Sequence, residues 1–208
     1  MKEVYNDMIS RIGFMVQDFD KQYVPYVFHN KNNSDLFLTN EEIKKIIKIY
    51  EDSDKNPAIV KSGFKKNIRK VSKVELNRND FHNIGIYEKI LRAVYATNRD
   101  FYQFNINGLV ENLEILKYDS SIKAVYKKHI DYGGGVWPRK ISIVVQLSNS
   151  EDYEGGNTMI YIGDEPIKLD KTIGCINLFP SYQLHEVTPI TKGVRYALVG
   201  WVSGPHWV

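Results

Sequence analysis

Cysteine is nearly absent: Cys175 is the only one in 208 residues. A lone thiol closes no internal disulfide and builds no thiolate metal site, which fits a reducing cytoplasm. Nowhere do about 18 apolar residues run together, so no membrane-spanning helix is expected. The first seven residues, Met1 to Asp7, carry no apolar signal core, which argues against export. Internal repeats and low-complexity tracts are missing too. The net charge of +3 is too small to imply nucleic-acid binding by itself. What remains is a chain with 43% hydrophobic and 12% aromatic residues, enough for a sizeable core. The length suits one domain, 1–208, and no linker divides it.

Within that domain two regions differ in pattern. Residues 1–111 read as N-terminal strands and supporting helices. Residues 1–35 say least, and Asn30 to Asp35 reads as a loop. Thr39-Asn40-Glu41-Glu42 has the form of a capping box, with Thr39 capping the first amides and Glu42 reaching back. Ile43, Ile46, Ile47 and Tyr50 then recur at helical spacing to about residue 50. Residues 58–76 read as two short strands broken at Ser62-Gly63. A second helix is expected over roughly 84–101, with Ile86, Ile90 and Val94 in one stripe. From residue 112 to 208 the pattern turns to short strands: Leu113 to Tyr118, Ile141 to Leu147, Thr158 to Ile162, Ile173 to Phe179 and Arg195 to Val202. Helices first and many short strands after predict an all-β core with flanking helices, a sandwich or jelly roll.

The chemistry-bearing residues lie between 118 and 201. His129 and Asp131 stand two apart, which on an extended chain turns both to one face. Two histidines and a carboxylate with open positions are the ligand set of non-haem Fe(II) oxygenases. His185 is the candidate third ligand. A histidine two residues from an aspartate is common on protein surfaces, so the pair alone is weak. Arg195 strengthens it. Pro189 and Thr191-Lys192-Gly193 lie between His185 and Arg195, and a turn there predicts a hairpin with the two residues on neighbouring strands. Arg195, Ala197, Val199 and Trp201 would share a face. An arginine aimed into an apolar barrel needs an anion, and a dicarboxylate would meet it as a bidentate partner.

Several motifs occur in order: Tyr118, Tyr126-x-x-His129-x-Asp131, Arg139-x-x-Ser142, Tyr153-Glu154-Gly155-Gly156-Asn157-Thr158, Gly174, Phe179-Pro180, and His185 through Tyr196. Over 113–203 the chain resembles the prolyl 4-hydroxylase-like 2-oxoglutarate oxygenases, particularly their bacterial and phage PKHD-type members. The likeness extends more loosely back through Arg69-Lys70-Val71-Ser72 to the helix at 41–50. The resemblance implies a double-stranded β-helix of cupin-like form, in the cytoplasm of a bacterium or a phage-infected cell. It implies Fe(II), 2-oxoglutarate, dioxygen and ascorbate as reductant. His129, Asp131 and His185 would hold the metal. Arg195 would bind the distal carboxylate of 2-oxoglutarate with a hydrogen bond from Tyr118, and Gln146 would stand nearby. The reaction implied hydroxylates a C–H bond while 2-oxoglutarate is decarboxylated to succinate and CO2. Asn157 departs from the Glu or Asp usual after this turn, which lies away from the metal.

Other residues have two readings each. Trp201 either lines the cosubstrate pocket or belongs to the core. Trp137 either closes over substrate on the glycine-rich 132–138 loop or sits on a plain connection. Tyr126 and Arg139 join it as candidates for substrate contact. His29, His82 and His206 lack partners at ligand spacing and read as ordinary histidines, and Cys175 as a small buried hydrophobe. The segment 61–78 holds seven basic residues against the single acid Glu75, either a nucleic-acid or acidic-peptide site or a solvated face. A prolyl residue in a peptide or protein is the favoured substrate. Nucleic acid or a small molecule is the alternative, and a non-catalytic binding module the third.

Overall fold

The computed structural model describes residues 14–16, 26–30, 37–53, 56–57, 68–133, 137–162 and 165–207. Of the loop expected over 30–35, Asn30 ends a strand instead, and 31–35, the strand break at Ser62-Gly63, and Lys61, Lys65 and Lys66 lie outside these residues.

The first half holds strands β1 (Phe14–Val16), β2 (Tyr26–Asn30), β3 (Asn56–Pro57), β4 (Arg69–Lys70) and β5 (Ser72–Leu76). Helix α1 (Asn40–Asp52) follows β2, and α2 (Ile84–Thr97) follows β5. Beyond α2 come β6 (Gly108–Leu109), β7 (Leu113–Asp119), β8 (Val125–His129), β9 (Arg139–Gln146) and β10 (Tyr153–Gly155). The chain ends with β11 (Thr158–Tyr161), β12 (Pro166–Lys168), β13 (Ile176–Pro180), β14 (His185–Val187) and β15 (Ile190–Ser203).

These strands make two antiparallel sheets. The larger follows the order β1-β2-β13-β9-β15-β7-β5-β3, with β6 and β10 added on β15; the smaller follows β12-β11-β14-β8-β4. The alternation of β15 explains why a layer lies on either side of the larger sheet. Leu198 and Val202 face the helices, while Ala197, Val199 and Trp201 face the smaller sheet. Strand β7 does the same, sending Leu113 and Ile115 one way and Leu116 and Tyr118 the other. This is the all-β core with helices on one side that the pattern predicts, in the double-stranded β-helix form that the resemblance implies.

Helix α1 starts as its capping box requires: Glu42 N donates to Thr39 Oγ1 at 3.2 Å, and Thr39 N donates to Glu42 Oε2 at 2.7 Å. Ile43, Ile46 and Tyr50 turn inward onto the larger sheet, beside Ile86, Ile90 and Val94 of α2. Burying an aliphatic side chain of this size contributes roughly 1.5–3 kcal/mol, so the helices clamp the sheet that carries Arg195. The second helix runs over the expected residues but changes form at its end. Thr97 Oγ1 donates back to Ala93 O at 2.8 Å, and a π-helical turn over Asn98–Tyr102 takes the place of regular helix. No helix among the described residues is long and apolar enough to cross a membrane.

Candidate metal centre

Strand β8 delivers His129 at its last residue, and β14 delivers His185 at its first. The two strands pair, and the register sets His185 opposite His129. Asp131 follows two residues on, and its backbone N–H donates to Ser181 O at 2.8 Å. The three side chains are 10, 8 and 6% exposed for His129, Asp131 and His185. His129 Nε2 lies 3.5 Å from Asp131 Oδ1, and His185 Nε2 lies 3.4 Å from Asp131 Oδ2. One ligand atom from each residue falls within 4.8 Å of the others.

The tautomers follow from the backbone. His129 Nδ1 meets Lys127 O at 2.7 Å, and His185 Nδ1 meets Gln183 O at 2.9 Å. A carbonyl only accepts, so each Nδ1 carries a proton and each Nε2 is turned toward Asp131. Burial opposes ionisation of Asp131, but contacts with His129 and His185 outweigh it and hold the carboxyl well below its usual range. Burial likewise lowers His129. Two imidazoles and a carboxylate therefore converge on one point, an arrangement suited to a divalent cation. Ser142 Oγ donates to Asp131 Oδ2 at 2.8 Å and also contacts Ser181 Oγ at 3.0 Å, which fixes the carboxylate from behind.

The same residues open onto a cavity between the sheets, lined also by Tyr118, Tyr126, Thr158, Arg195 and Trp201. Arg195 is only 1% exposed. Its Nε donates to Gln146 Oε1 at 3.1 Å and its Nη2 to Thr158 Oγ1 at 3.3 Å. Both partners are neutral, and Nη1 has no partner among the described residues. A buried guanidinium with this surrounding is costly until an anion arrives. The Tyr118 ring lies 5.2 Å from the guanidinium carbon. Burial raises the Tyr118 hydroxyl above its usual value, with Arg195 and Arg69 opposing, so it stays a donor.

Most residues singled out in the sequence meet here. His129, Asp131, His185, Tyr118, Tyr126, Arg195 and Trp201 line the cavity. Gln146 joins through Arg195. Tyr126 stacks on His129 with ring centroids 3.5 Å apart. Arg139 stands one layer out, donating to Glu111 Oε1 at 2.7 Å and capping the Trp201 ring at 3.6 Å. Trp137 does not reach the lining and is 45% exposed. Between it and Asp131, residues 134–136 of the glycine loop lie outside the described residues.

Two expectations are corrected. His185 and Arg195 are not on paired strands: β14 pairs with β8 and β11, whereas β15 pairs with β7 and β9 in the other sheet. The chain between them crosses from sheet to sheet, so the two residues face each other across the cavity. The Glu154-Gly155-Gly156 turn is also closer to the site than expected. A Cβ on Gly156 would meet Arg195 Cδ at 3.4 Å, and one on Gly155 would strike Pro189 O at 2.2 Å. Thr158, Ser142 and Ser181 were quoted or passed over without a role, because only cross-strand register gives them one. Arg69 was missed as well. It lines the cavity, and its guanidinium carbon lies 5.0 Å from the centre of the Tyr126 ring, tying the basic segment to the metal ligands.

Residues 113–203 match the 2OG-Fe(II) oxygenase superfamily. That match spans less than half of the chain. The matched segment holds His129, Asp131, His185, Arg195 and every cavity residue except Arg69, and that superfamily implies Fe(II), 2-oxoglutarate and dioxygen. A PKHD-type hydroxylase of Gloeothece citriformis is 36% identical over 81 residues, covering 38% of this chain and 37% of that protein. Another, from a Synechococcus strain, is 28% identical over 177 residues, covering 80% and 75%. Among solved structures, a prolyl hydroxylase from Trichoplax adhaerens, in complex with a hypoxia inducible factor oxygen degradation domain peptide fragment, has a TM-score of 0.68 at 19% identity. That likeness covers 97% of this chain and 90% of the other, and it shows the shared fold.

Proposed function

We propose that the chain is an Fe(II)- and 2-oxoglutarate-dependent dioxygenase that hydroxylates a prolyl residue in a peptide or protein. One observation carries this reading: a three-ligand cluster and an unneutralised, buried arginine open onto the same cavity. His129 and His185 would hold the metal through Nε2 and Asp131 through its carboxylate. Iron and 2-oxoglutarate, when bound, supply oxygen activation coupled to decarboxylation to succinate and CO2.

The chain's own residues do the rest. Arg195 takes the distal carboxylate, using the Nη1 hydrogens that have no hydrogen-bond partner among the described residues. Gln146 and Thr158 hold the guanidinium plane, and Tyr118 donates from the neighbouring strand. Leu116, Ala197, Val199 and Trp201 wall the cavity with apolar surface, which excludes water and strengthens the charge pairing within. Ser142 keeps Asp131 turned toward the ligand point.

The peptide substrate is supported by solved neighbours named as prolyl hydroxylases, one of them in complex with a peptide fragment. Nucleic acid is disfavoured by what the described cations of 68–78 do. Arg69 and Lys73 both pair with the buried Glu114, and Arg78 donates to Leu109 O and Val110 O. Arg69, Lys73 and Arg78 are committed to the fold, which leaves only the exposed Lys70 of these four free to meet a phosphate. The test is succinate formation, with mass spectrometry of each substrate for a gain of one oxygen. Proline-rich peptides should stimulate turnover and gain the oxygen. Stimulation by single-stranded DNA or RNA, with none by any proline peptide, would reject the prolyl reading.

A further inference from the structure

A guanidinium carries five N–H donors. In Arg195 two of them are used, one on Gln146 Oε1 through Nε and one on Thr158 Oγ1 through Nη2. A carboxylate held as a fork takes two of the remaining three. One donor is then left over on a side chain that is 1% exposed, where an unmet hydrogen is costly. It needs an acceptor inside the barrel.

Tyr153 offers one. It opens β10, whose pairing sets it opposite Gly193, two positions before Arg195 on β15. Its side chain packs with Ala197, Val199 and Trp201 of the cavity wall but does not line the cavity itself. Gly156 shows how near the two side chains run: a Cβ there would lie 3.4 Å from Arg195 Cδ and 3.6 Å from Tyr153 Cε2. Lys171 covers the Tyr153 ring, its Nζ 4.2 Å from the ring centre. Tyr153 is 3% exposed, and its hydroxyl has no hydrogen-bond partner among the described residues. Arg195 Nη1 is in the same condition. The two groups feel each other: burial raises the Tyr153 hydroxyl above its usual value, and the Arg195 guanidinium opposes the rise. A phenol oxygen accepts as well as donates. A buried donor and a buried acceptor thus stand together without a well-formed hydrogen bond.

We propose that Tyr153 is a positioning residue for Arg195, its hydroxyl accepting the left-over guanidinium hydrogen when the distal carboxylate of 2-oxoglutarate docks. The inference rests on the cosubstrate reading above and adds a residue outside the cavity lining. With Gln146, Thr158 and Tyr153 each taking one hydrogen, the guanidinium has one orientation left for the carboxylate. The new bond forms with the ligand, so it contributes to affinity and not to the stability of the ligand-free chain.

Tyr153→Phe removes the oxygen and keeps the ring. Binding is measured by calorimetry on the Fe(II)-loaded protein with oxygen excluded. The ligands are 2-oxoglutarate and 2-oxopentanoate, which has the same chain length and no distal carboxylate. The variant should bind 2-oxoglutarate about tenfold more weakly, the scale of one hydrogen bond to a charged group. Its 2-oxopentanoate binding and its ligand-free Tm should match the parent. In an Arg195→Met background the same change should add no further loss, because the two residues act as a pair. Unchanged 2-oxoglutarate affinity, a loss shared by both acids, or additive losses in the double variant overturns the proposal. A ligand-free Tm lowered by more than about 4 °C would make the hydroxyl structural and overturn it too. A parent that binds no 2-oxoglutarate rejects the cosubstrate reading and the proposal with it. A binding parent with an indifferent Tyr153→Phe rejects the role of Tyr153 alone.

Discussion

Replacing Arg195 by methionine keeps the stem volume and removes the charge, and two opposite effects should follow. Without ligand, the guanidinium is 1% exposed, bonded to two neutral groups, and left with Nη1 unsatisfied. Removing such a charge relieves a burial cost, so the ligand-free variant should melt no lower than the parent. With ligand, two charge-assisted hydrogen bonds at roughly 1.5–3 kcal/mol each are lost. That weakens 2-oxoglutarate roughly a hundred- to ten-thousand-fold. At a 2-oxoglutarate concentration of about 100 times the parent Kd, the ligand adds about 2.7 kcal/mol to the parent and at most about 0.4 kcal/mol to the variant. For a chain of this size the parent should gain roughly 5–11 °C in Tm and the variant under about 2 °C. Differential scanning fluorimetry with metal present and oxygen excluded reads both effects. A variant that keeps the parent's ligand-induced shift, or whose ligand-free Tm falls by more than about 8 °C, would refute the reasoning. In the second case Arg195 would be holding the barrel together instead of awaiting an anion.

Ser142→Ala removes the hydroxyl that donates to Asp131 Oδ2, and should weaken iron binding about 10- to 100-fold without changing the fold; anaerobic metal titration beside circular dichroism checks both halves. Gly155→Ala should cost roughly 1–3 kcal/mol, because φ there is 74° and the new Cβ would strike Pro189 O, and urea unfolding measures it. Cys175 is 1% exposed and burial pushes its thiol up to about 12. It should therefore stay silent to a thiol reagent at neutral pH and react once the chain is unfolded. Prompt labelling of the native protein would contradict the packing around it.

What could be read in the sequence depended on the range over which each signal acts. The capping box at Thr39 and the stripe of Ile43, Ile46 and Tyr50 are local, and the helix formed where they placed it. His129 and Asp131 were legible for the same reason, since two-residue spacing on extended chain fixes a shared face. The alternation Arg195, Ala197, Val199, Trp201 was legible too, and all four line the cavity. Properties set by tertiary pairing were not. A turn between His185 and Arg195 reads as a hairpin locally, yet β14 and β15 belong to different sheets. Ser142 acquires its role because β9 lies beside β13, which brings Ser181 and Asp131 to it from elsewhere in the chain. Arg69 reaches the cavity only through the pairing of β4 with β8. Tyr153 stands by Arg195 because β10 is added on β15, which no periodicity announces. The change from α- to π-helix at Asn98 was not legible either, because it goes with the Asn98 side chain bonding the backbone of Phe104.

The central claim is that His129, Asp131 and His185 hold the iron that drives turnover of 2-oxoglutarate. Its most direct measurement is the rate at which purified protein converts 2-oxoglutarate to succinate with Fe(II), dioxygen and a proline-rich peptide. The same assay is run on His129→Ala, Asp131→Ala and His185→Ala with folding verified for each. The account predicts iron-dependent succinate formation by the parent and a rate at background in all three variants, since two ligands hold the metal too loosely. Variants that match the parent rate, or a parent whose succinate formation needs no iron, would contradict it.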